Sequence, residues 1–384
     1  MSDFTIISYP GTKDNSLLSL SEDRSRYMLP FGGKFRVVDF TLRNSFSCGA
    51  RNTIIYNNFD DGLEDYVNLY GPFDNSKFPP IKVISRDYSD IKHCYDIIME
   101  ANSSHYLIYN GDNPSIIDFN SIIKRHRSKR NKAVLYMLKI DGKPSMGHRI
   151  LIAPRKTLLE VIDEAIEQQR SSPNIFEMIM NIMIIKGVKE DTFDALYWPL
   201  GNVPEYYDLN RFIINNRSII DLLYRDKIIQ SKIEAEGYSR IGLHGRITGS
   251  FISDHCKING HVENSIIYPG VEIQEGARVK DSIILPFVRI GPDSRITGTI
   301  IDESTNASAE NEILNIGPGC RIGSDEQFIK NTDHPEKLHS SITLIGKNCA
   351  IPPGIKIGGG CFISSETSEK GFEKKKVIQD GDSV

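Results

Sequence analysis

Aliphatic residues recur at every sixth position through the last third of the chain. Ile267, Ile273 and Val279 form one run, Ile284, Ile290 and Ile296 a second, and Ile345, Ile351, Ile357 and Ile363 a third. Ile252 and Ile258 precede them, and Ile316 and Ile322 lie between. Gly, Asn, Asp and Pro fill the intervals, as in IGPDSRITG and IGKNCAIPPGIKIGGG. A period of six is neither the helical repeat of about 3.6 residues nor the two-residue alternation of a single strand. One short strand followed by one tight turn satisfies it. Three such units close a triangular coil with the aliphatic side chains stacked inside. Glycine and asparagine at the turns supply the positive φ that a Cβ disfavours. The pattern predicts a parallel β-helix from about Ile241 to Ile363. The polar stretches ESTNASAEN and KNTDHPEKLHSS, within 303–343, cannot fill a coil interior. They are expected as loops leaving the β-helix, with one partial coil between them. The charged tail Ser364–Lys376 is expected to be exposed.

Upstream the pattern changes to short apolar runs alternating with amphipathic segments, which predicts a mainly parallel sheet covered by helices. Phe4–Ser8, Asn52–Tyr56, His105–Tyr109, Ala133–Leu138 and Ile150–Ala153 read as strands. Residues 154–170 read as a helix with Leu158, Leu159, Ile162, Ala165 and Ile166 on one face, and 204–224 as another. The chain divides on this reading into an α/β domain at 1–235 and a repeat domain at 236–384, with an insertion at about 303–343. Ligands bind such sheets beyond the C-terminal strand ends, near a topological switch point. Two loops qualify: the one after Phe4–Ser8 and the one holding Asn110, Gly111 and Asp112.

Composition narrows the functional classes. A formal net charge of −4 argues against a dedicated nucleic-acid binder and leaves phosphorylated small molecules open. Ile175–Ile185, broken by Glu177 and Asn181, is far shorter than the roughly 20 apolar residues of a membrane span and is expected as a buried helix or strand. The N-terminus shows no basic segment leading an apolar one and does not read as a secretory signal. Six scattered cysteines without metal-site spacing read as reduced thiols, so a cytoplasmic location is expected. His244, His255 and His261 are expected as exposed turn residues.

The candidate chemistry lies in LSEDRSRYMLPFGGKFRVVDFTLRNSFSCGARNTIIYNN, Leu20 to Asn58. This segment resembles the signature region of ADP-glucose pyrophosphorylases (glucose-1-phosphate adenylyltransferases). Pro30 to Lys34 match the family's PFGGK, Asp39 and Phe40 its DF, and Asn44 and Gly49 fall in place. YNGDNPSIIDF aligns without gaps on GDHxYxMDY, which puts Asp112 on the metal-binding aspartate. SIIYPGVEIQEGARVKDSIIL and IGKNCAIPPGIKIG are similar to the family's C-terminal left-handed β-helix. The resemblance implies a Rossmann-like nucleotidyltransferase domain followed by that β-helix.

It also implies a reaction in which glucose 1-phosphate attacks the α-phosphorus of ATP. That chemistry rests on positioning and charge neutralisation: a glycine-rich loop, basic groups near the phosphates, and carboxylates for Mg²⁺. Several of these parts depart from the family pattern here. The family's GGxGxRL loop falls on GTKDNSL at 11–17, where only Gly11 survives. Thr12 and Asp14 take glycine positions and Ser16 the arginine position. Arg24 is retained, and Arg26 replaces a lysine. IKHCY at 91–95 stands where GTADA is expected, the EKP lysine has no counterpart, and WPLGN beside Trp198 carries no second metal carboxylate.

Gly11, Arg24, Arg26, Gly32, Gly33 and Lys34 are the candidate phosphate-binding residues, with Arg36 completing a basic cluster. Arg24, Arg26 and Asp112 are the remnant catalytic set, and Asp112 is either a remnant metal ligand or a turn residue. The resemblance then implies a degenerate regulatory subunit in glycogen (α-glucan) synthesis. Its partner would be a catalytic paralogue in a hetero-oligomer such as a tetramer, or a second copy. A sugar phosphate or nucleotide is a possible ligand, and nucleic acid and membrane are excluded. Mg²⁺ is required only if activity remains. The alternatives are an active nucleotidyltransferase with a rebuilt phosphate loop and a hexapeptide-repeat acyltransferase.

Overall fold

The computed structural model describes residues 3–11, 15–69, 80–85, 89–129, 132–168, 170–225, 237–305, 314–326, 328–372 and 376–384. They form two compact units. One comprises the N-terminal strand, Asp23–Leu29 and Val37–Pro199; the other comprises Asn15–Glu22, Pro30–Arg36 and Leu200–Val384. This partition differs from a single cut at 235/236, because two short N-terminal pieces and the residues after Pro199 join the repeat region.

The first unit is a seven-stranded sheet of β1 (Phe4–Tyr9), β2 (Asn52–Asn57), β3 (Ile81–Ser85), β4 (His105–Asn110), β5 (Val134–Ile140), β6 (Lys143–Pro154) and β7 (Lys189–Phe193). Their order is β3-β2-β1-β4-β6-β5-β7. β3, β2, β1 and β4 are mutually parallel, as are β5 and β7, while β6 runs antiparallel between β4 and β5. Strands buried on both faces read as continuous apolar runs, and Ile6 and Ile7 are both fully buried. The helices are α1 (Val37–Ser47), α2 (Leu63–Asn68), α3 (Ile91–Ala101), α4 (Phe119–Ser128), α5 (Arg155–Glu167) and α6 (Ile175–Ile185). Ile7, Tyr9 and Ile54 pack with α3, α5 and α6 on one face, and Phe4, Ile6 and Leu107 with α4 on the other.

Two readings are extended here. β6 begins seven residues before Ile150, because Asp141 and Gly142, at φ 51° and 75°, form a tight Asp-Gly hairpin from β5. The apolar stretch Ile175–Ile185 is a helix, capped by the Asn174 side chain, which accepts from the Phe176 and Glu177 amides at 3.1 and 3.2 Å. Among the described residues no helix is long and apolar enough to cross a membrane. All six cysteines are free and buried.

The second unit contains the β-helix, whose short parallel strands stack into three sheets. Ile258, Ile273 and Ile290 point inward from the first, Val262, Val279, Ile296, Ile322 and Ile357 from the second, and Ile267, Ile284, Ile301, Ile345 and Ile363 from the third. Ile316 bridges Ile290 and Ile351, and Arg321–Ile322 pairs on both sides, which is the partial coil inside the insertion. Cys256, Cys320, Cys349 and Cys361 fill small interior places and donate their thiols to carbonyls of Tyr268, Pro352, Ser364 and Gln379. The β-helix runs past Ile363 to Val377–Ile378, and Phe372 in the charged tail is buried against the same core. Phe372 therefore corrects the expectation of a wholly exposed tail. His244 and His255 are exposed in turns, but His261 is half-buried and lies in the strand His261–Glu263.

The helix expected over 204–224 is α7 (Val203–Asn215), after which Asn216 starts a separate turn at Arg217–Ile220. The Asn216 side chain accepts from the Ile219 amide and recaps the chain, which ends α7 early.

His126 on α4 is fully buried among Phe4, His105 and Tyr136, and neither ring nitrogen has a partner among the described residues. Burial, with help from His105 and Lys129, pushes it down to about 4. A base lowered on folding binds its proton more readily when unfolded, so its contribution to stability is lost as pH falls from about 6.5 towards 4. His126→Phe should flatten that slope and raise stability at neutral pH by about 1–3 kcal/mol, the cost of unsatisfied buried polar atoms. Urea denaturation at pH 7 and pH 5 measures both effects.

Candidate functional site

The first unit reverses its strand order at β1, with β2 on one side and β4 on the other, so the crevice beyond their C-terminal ends is the switch point. The two strands pair from Phe4 with His105 through Tyr9 with Asn110, and their following loops therefore emerge side by side. The Gly111 amide donates to the Tyr9 carbonyl at 3.1 Å, and Thr41 Oγ1 donates to the Gly111 carbonyl at 2.9 Å. A Cβ on Gly111 would sit 2.0 Å from Ser8 Oγ and 2.9 Å from Thr41 Oγ1, so any larger residue here must displace both hydroxyls.

Asp112 follows and is 4% exposed. Its amide is accepted by Asn110 Oδ1 at 3.0 Å. Its Oδ2 accepts the Gly11 N–H at 2.7 Å, and its Oδ1 accepts from Asn113 Nδ2 at 2.8 Å. The aspartate is thus a staple between the two loops. Thr12 and Asp14, at the next glycine positions of the loop, lie outside the described residues.

Around this pair stands a polar group that spacing along the chain does not reveal. Tyr9 donates to Glu177 Oε1 at 2.6 Å, and Glu177 forms a close ion pair with Arg149, which also donates to Asn181 at 3.2 Å. Burial pushes the Tyr9 phenol well above its ordinary range, and the charges of Glu177 and Asp112 raise it further. The Tyr197 phenol is also raised, first by burial and then by Asp112, with Arg26 acting in the opposite sense. Arg26, Asp112 and Tyr197 therefore share one electrostatic neighbourhood. His148 lies against Tyr197 with ring centroids 3.9 Å apart and is lowered by burial. Tyr9, His148, Arg149, Glu177 and Tyr197 are the residues sequence reading missed. They come from two strands, a helix and an extended segment, and no local motif joins them.

The expected basic cluster is divided between the units. Arg24 is buried and Arg26 half-buried in the first. Lys34 and Arg36 belong to the second, where Lys34 lies 3.7 Å from Asp254 and over the Tyr224 ring, and Arg36 pairs with Glu303 at 3.0 Å. Pro30–Phe31 and Phe35–Arg36 form a tight antiparallel hairpin, with Gly32 and Gly33 at φ 65° and 91°. The Gly32 amide donates to Asn210 Oδ1 at 2.9 Å, Tyr224 donates to the Gly32 carbonyl, and Tyr206 donates to the Pro30 carbonyl at 2.7 Å. A Cβ on Gly33 would lie 2.7 Å from the Phe251 ring. Backbone conformation accounts for Gly32, and conformation together with packing accounts for Gly33.

Residues 237–332 match the family model described as GlmU-like, C-terminal hexapeptide. A glucose-1-phosphate adenylyltransferase of Thermomicrobium roseum is 24% identical across 100% of this chain and 98% of its own length. One from Acetivibrio thermocellus is 21% identical over 96% and 94%, and one from Bacillus cereus 23% over 72% and 85%. The chain is similar to glucose-1-phosphate adenylyltransferases.

The segment around Trp198 lies beside the Asp112 loop. Leu196–Tyr197 pairs with Ser115–Ile116, the Trp198 amide donates to the Pro114 carbonyl at 3.0 Å, and its ring meets Phe40. No Asp or Glu occurs from Ala195 to Val203. Among the described residues no group of three or more His, Cys, Asp or Glu side chains is placed to hold a metal. Asp112 is a single carboxylate whose two oxygens already accept hydrogen bonds, which makes it a poor Mg²⁺ site by itself, since that cation is usually held by one or two carboxylates together with substrate phosphates.

A staple and a metal ligand respond oppositely to removal. A ligand carboxylate held for function typically destabilises the empty protein, whereas a staple contributes to stability. Asp112→Ala should lower unfolding free energy by about 1.5–3 kcal/mol, the range for hydrogen bonds to a charged group. Thermal or urea denaturation without added metal measures it, and an unchanged or raised midpoint contradicts the staple.

Proposed function

We propose that this chain is a glucose-1-phosphate adenylyltransferase-like subunit of α-glucan synthesis that does not itself turn over, and that it acts by tuning an active relative with which it assembles. The hydrogen bond from Gly11 N–H to Asp112 carries this reading. Adenylyl transfer to a sugar phosphate needs loop amides directed at phosphate oxygens and a cation to offset their charge. Here the surviving glycine amide faces a carboxylate of the protein's own. An anion in that place opposes phosphate entry by like-charge repulsion, and the residue that would ligate the cation supplies that anion. The absence of an acid beside Trp198 and the loss of the loop arginine at Ser16 point the same way. Arg24, Gly32, Gly33 and Lys34 persist on this reading because they build the two units.

One observation favours a second reading, an active enzyme with a rebuilt phosphate loop. The Tyr9–Glu177–Arg149 group and Arg26 surround Asp112 with polar side chains that a purely structural domain does not need.

The purified chain should form no ADP-glucose from ATP and glucose 1-phosphate with Mg²⁺ present. Added to an active glucose-1-phosphate adenylyltransferase from the same organism, it should change that enzyme's KM or effector response severalfold. Unaltered kinetics in the mixture would sink the companion role. Turnover by the chain alone, abolished in Asp112→Asn, would establish the second reading.

A further inference from the structure

The six-residue period that stacks aliphatic side chains inside the β-helix also stacks the outward residues, and on one face it aligns positive charge. Residues on either side of an inward one point outward in a strand. In the second sheet Arg246 pairs with His261, His261 with Arg278, Arg278 with Arg295, Arg295 with Arg321, and Arg321 with Lys356. Neighbouring strands lie about 4.8 Å apart, so this single column extends about 24 Å. The five arginine and lysine side chains are exposed and His261 is half-buried. Like charges directly opposite one another repel, and none of the five has an ion pair or side-chain hydrogen bond among the described residues.

The first sheet handles the same problem differently. Its outward column runs Arg240, Lys257, Glu272 and Arg289, and Glu272 lies 2.6 Å from Lys257 and 3.9 Å from Arg289. The third sheet's outward column, Ile266, Ile283, Ile300 and Leu344, is apolar and buried. The second face alone keeps an uncompensated column.

We infer that this basic ladder is a docking strip for a folded protein that presents a matching stripe of carboxylates. The surroundings select that class of partner. Glu275 and Asp293 occupy the turns entering the ladder strands, and Glu263, Asp281 and Asp325 lie on the exit side, where Lys280 meets Asp325 at 3.0 Å. The positive strip is therefore one residue wide and bordered by acids. A membrane or a nucleic-acid backbone covers a wider area and would meet those acids, and duplex phosphates wind around their axis, rising about 3.4 Å per step, rather than standing in a straight row. Carboxylates on one face of an α-helix recur about every 5.4 Å, one per turn, and those along a sheet column about every 4.8 Å. Either keeps step with the ladder over four or five rungs. The inference is independent of whether the first unit turns over substrate.

The test uses the full chain and two labelled helical peptides of about 18 residues, each about 27 Å long. Both have equal numbers of Glu and Lys; one carries Glu as a single stripe, and the other mixes the charges around the helix. Fluorescence anisotropy at low salt should show the striped helix binding at least about tenfold tighter, with the preference fading as salt rises. The triple variant Arg278→Gln, Arg295→Gln, Arg321→Gln should lose the preference while its melting temperature holds or rises, because like-charge repulsion is relieved. Equal binding of the two helices overturns the inference, as does retention of the preference in the variant. Tighter binding of a thymidine oligonucleotide or of phosphatidylserine vesicles than of the striped helix overturns it as well.

Discussion

The parallel pairing of β1 with β4 is the constraint on which the functional part of this molecule depends. Its register ends both strands at the same level, Tyr9 opposite Asn110, and so delivers two loops to one place. Gly111 packs closely on the Ser8 hydroxyl, and the carboxylate of the next residue turns towards the other loop. Asp112 meets the Gly11 amide there. Burial strengthens that hydrogen bond, since a charged acceptor withdrawn from water needs its donors more than an exposed one does. The same burial raises the phenols of Tyr9 and Tyr197 nearby and keeps them protonated. The crevice is consequently a place of fixed partners, with Glu177 held by both Tyr9 and Arg149.

In the second unit the dominant constraint is periodic. A coil that returns every three short strands forces each outward side chain to stack on another, so each face of the β-helix has one chemical character. One face is apolar and buried, one sets a glutamate between basic residues and pairs it with both, and one repeats cations. The PFGGKFR hairpin in this unit shows how a motif can persist for reasons other than its chemistry. Gly32 and Gly33 adopt positive φ, Gly33 leaves no room for a Cβ beside Phe251, and Asn210 and Tyr224 bind the backbone of the turn. Replacing Gly32 would strain the backbone, and replacing Gly33 would cost packing as well, whether or not a phosphate ever binds.

Both architectures were legible in the sequence because each rests on a local period. Aliphatic side chains six apart announce the β-helix, and the apolar runs at Phe4–Ser8 and His105–Tyr109 announce strands. The exceptions have local physical causes. Pro144, Gly147 and His148 interrupt the apolar pattern of β6, though the Asp-Gly turn preceding it signals a hairpin. Asn216 stops α7 with a side-chain cap, and Phe372 is a single apolar residue in a charged tail that reaches the end of the core.

The site divides along the same line. That Asp112 follows a strand, that Ser16 stands where an arginine is expected, and that no acid accompanies Trp198 are facts of the sequence alone. Which atoms meet is not. Gly11 and Asp112 are 101 residues apart, and Tyr9 and Glu177 are 168 apart. Their encounter depends on strand order and helix packing, which no local pattern encodes. The four basic residues from Arg24 to Arg36 are near neighbours in sequence, yet the chain assigns two to each unit, and those in the second meet Asp254 and Glu303. Periodicity determined the fold because burial of one face needs only nearby residues in step. The partner of each charge was decided by the tertiary structure, because hydrogen bonding and charge neutralisation act through space over a few ångströms, whatever the separation along the chain.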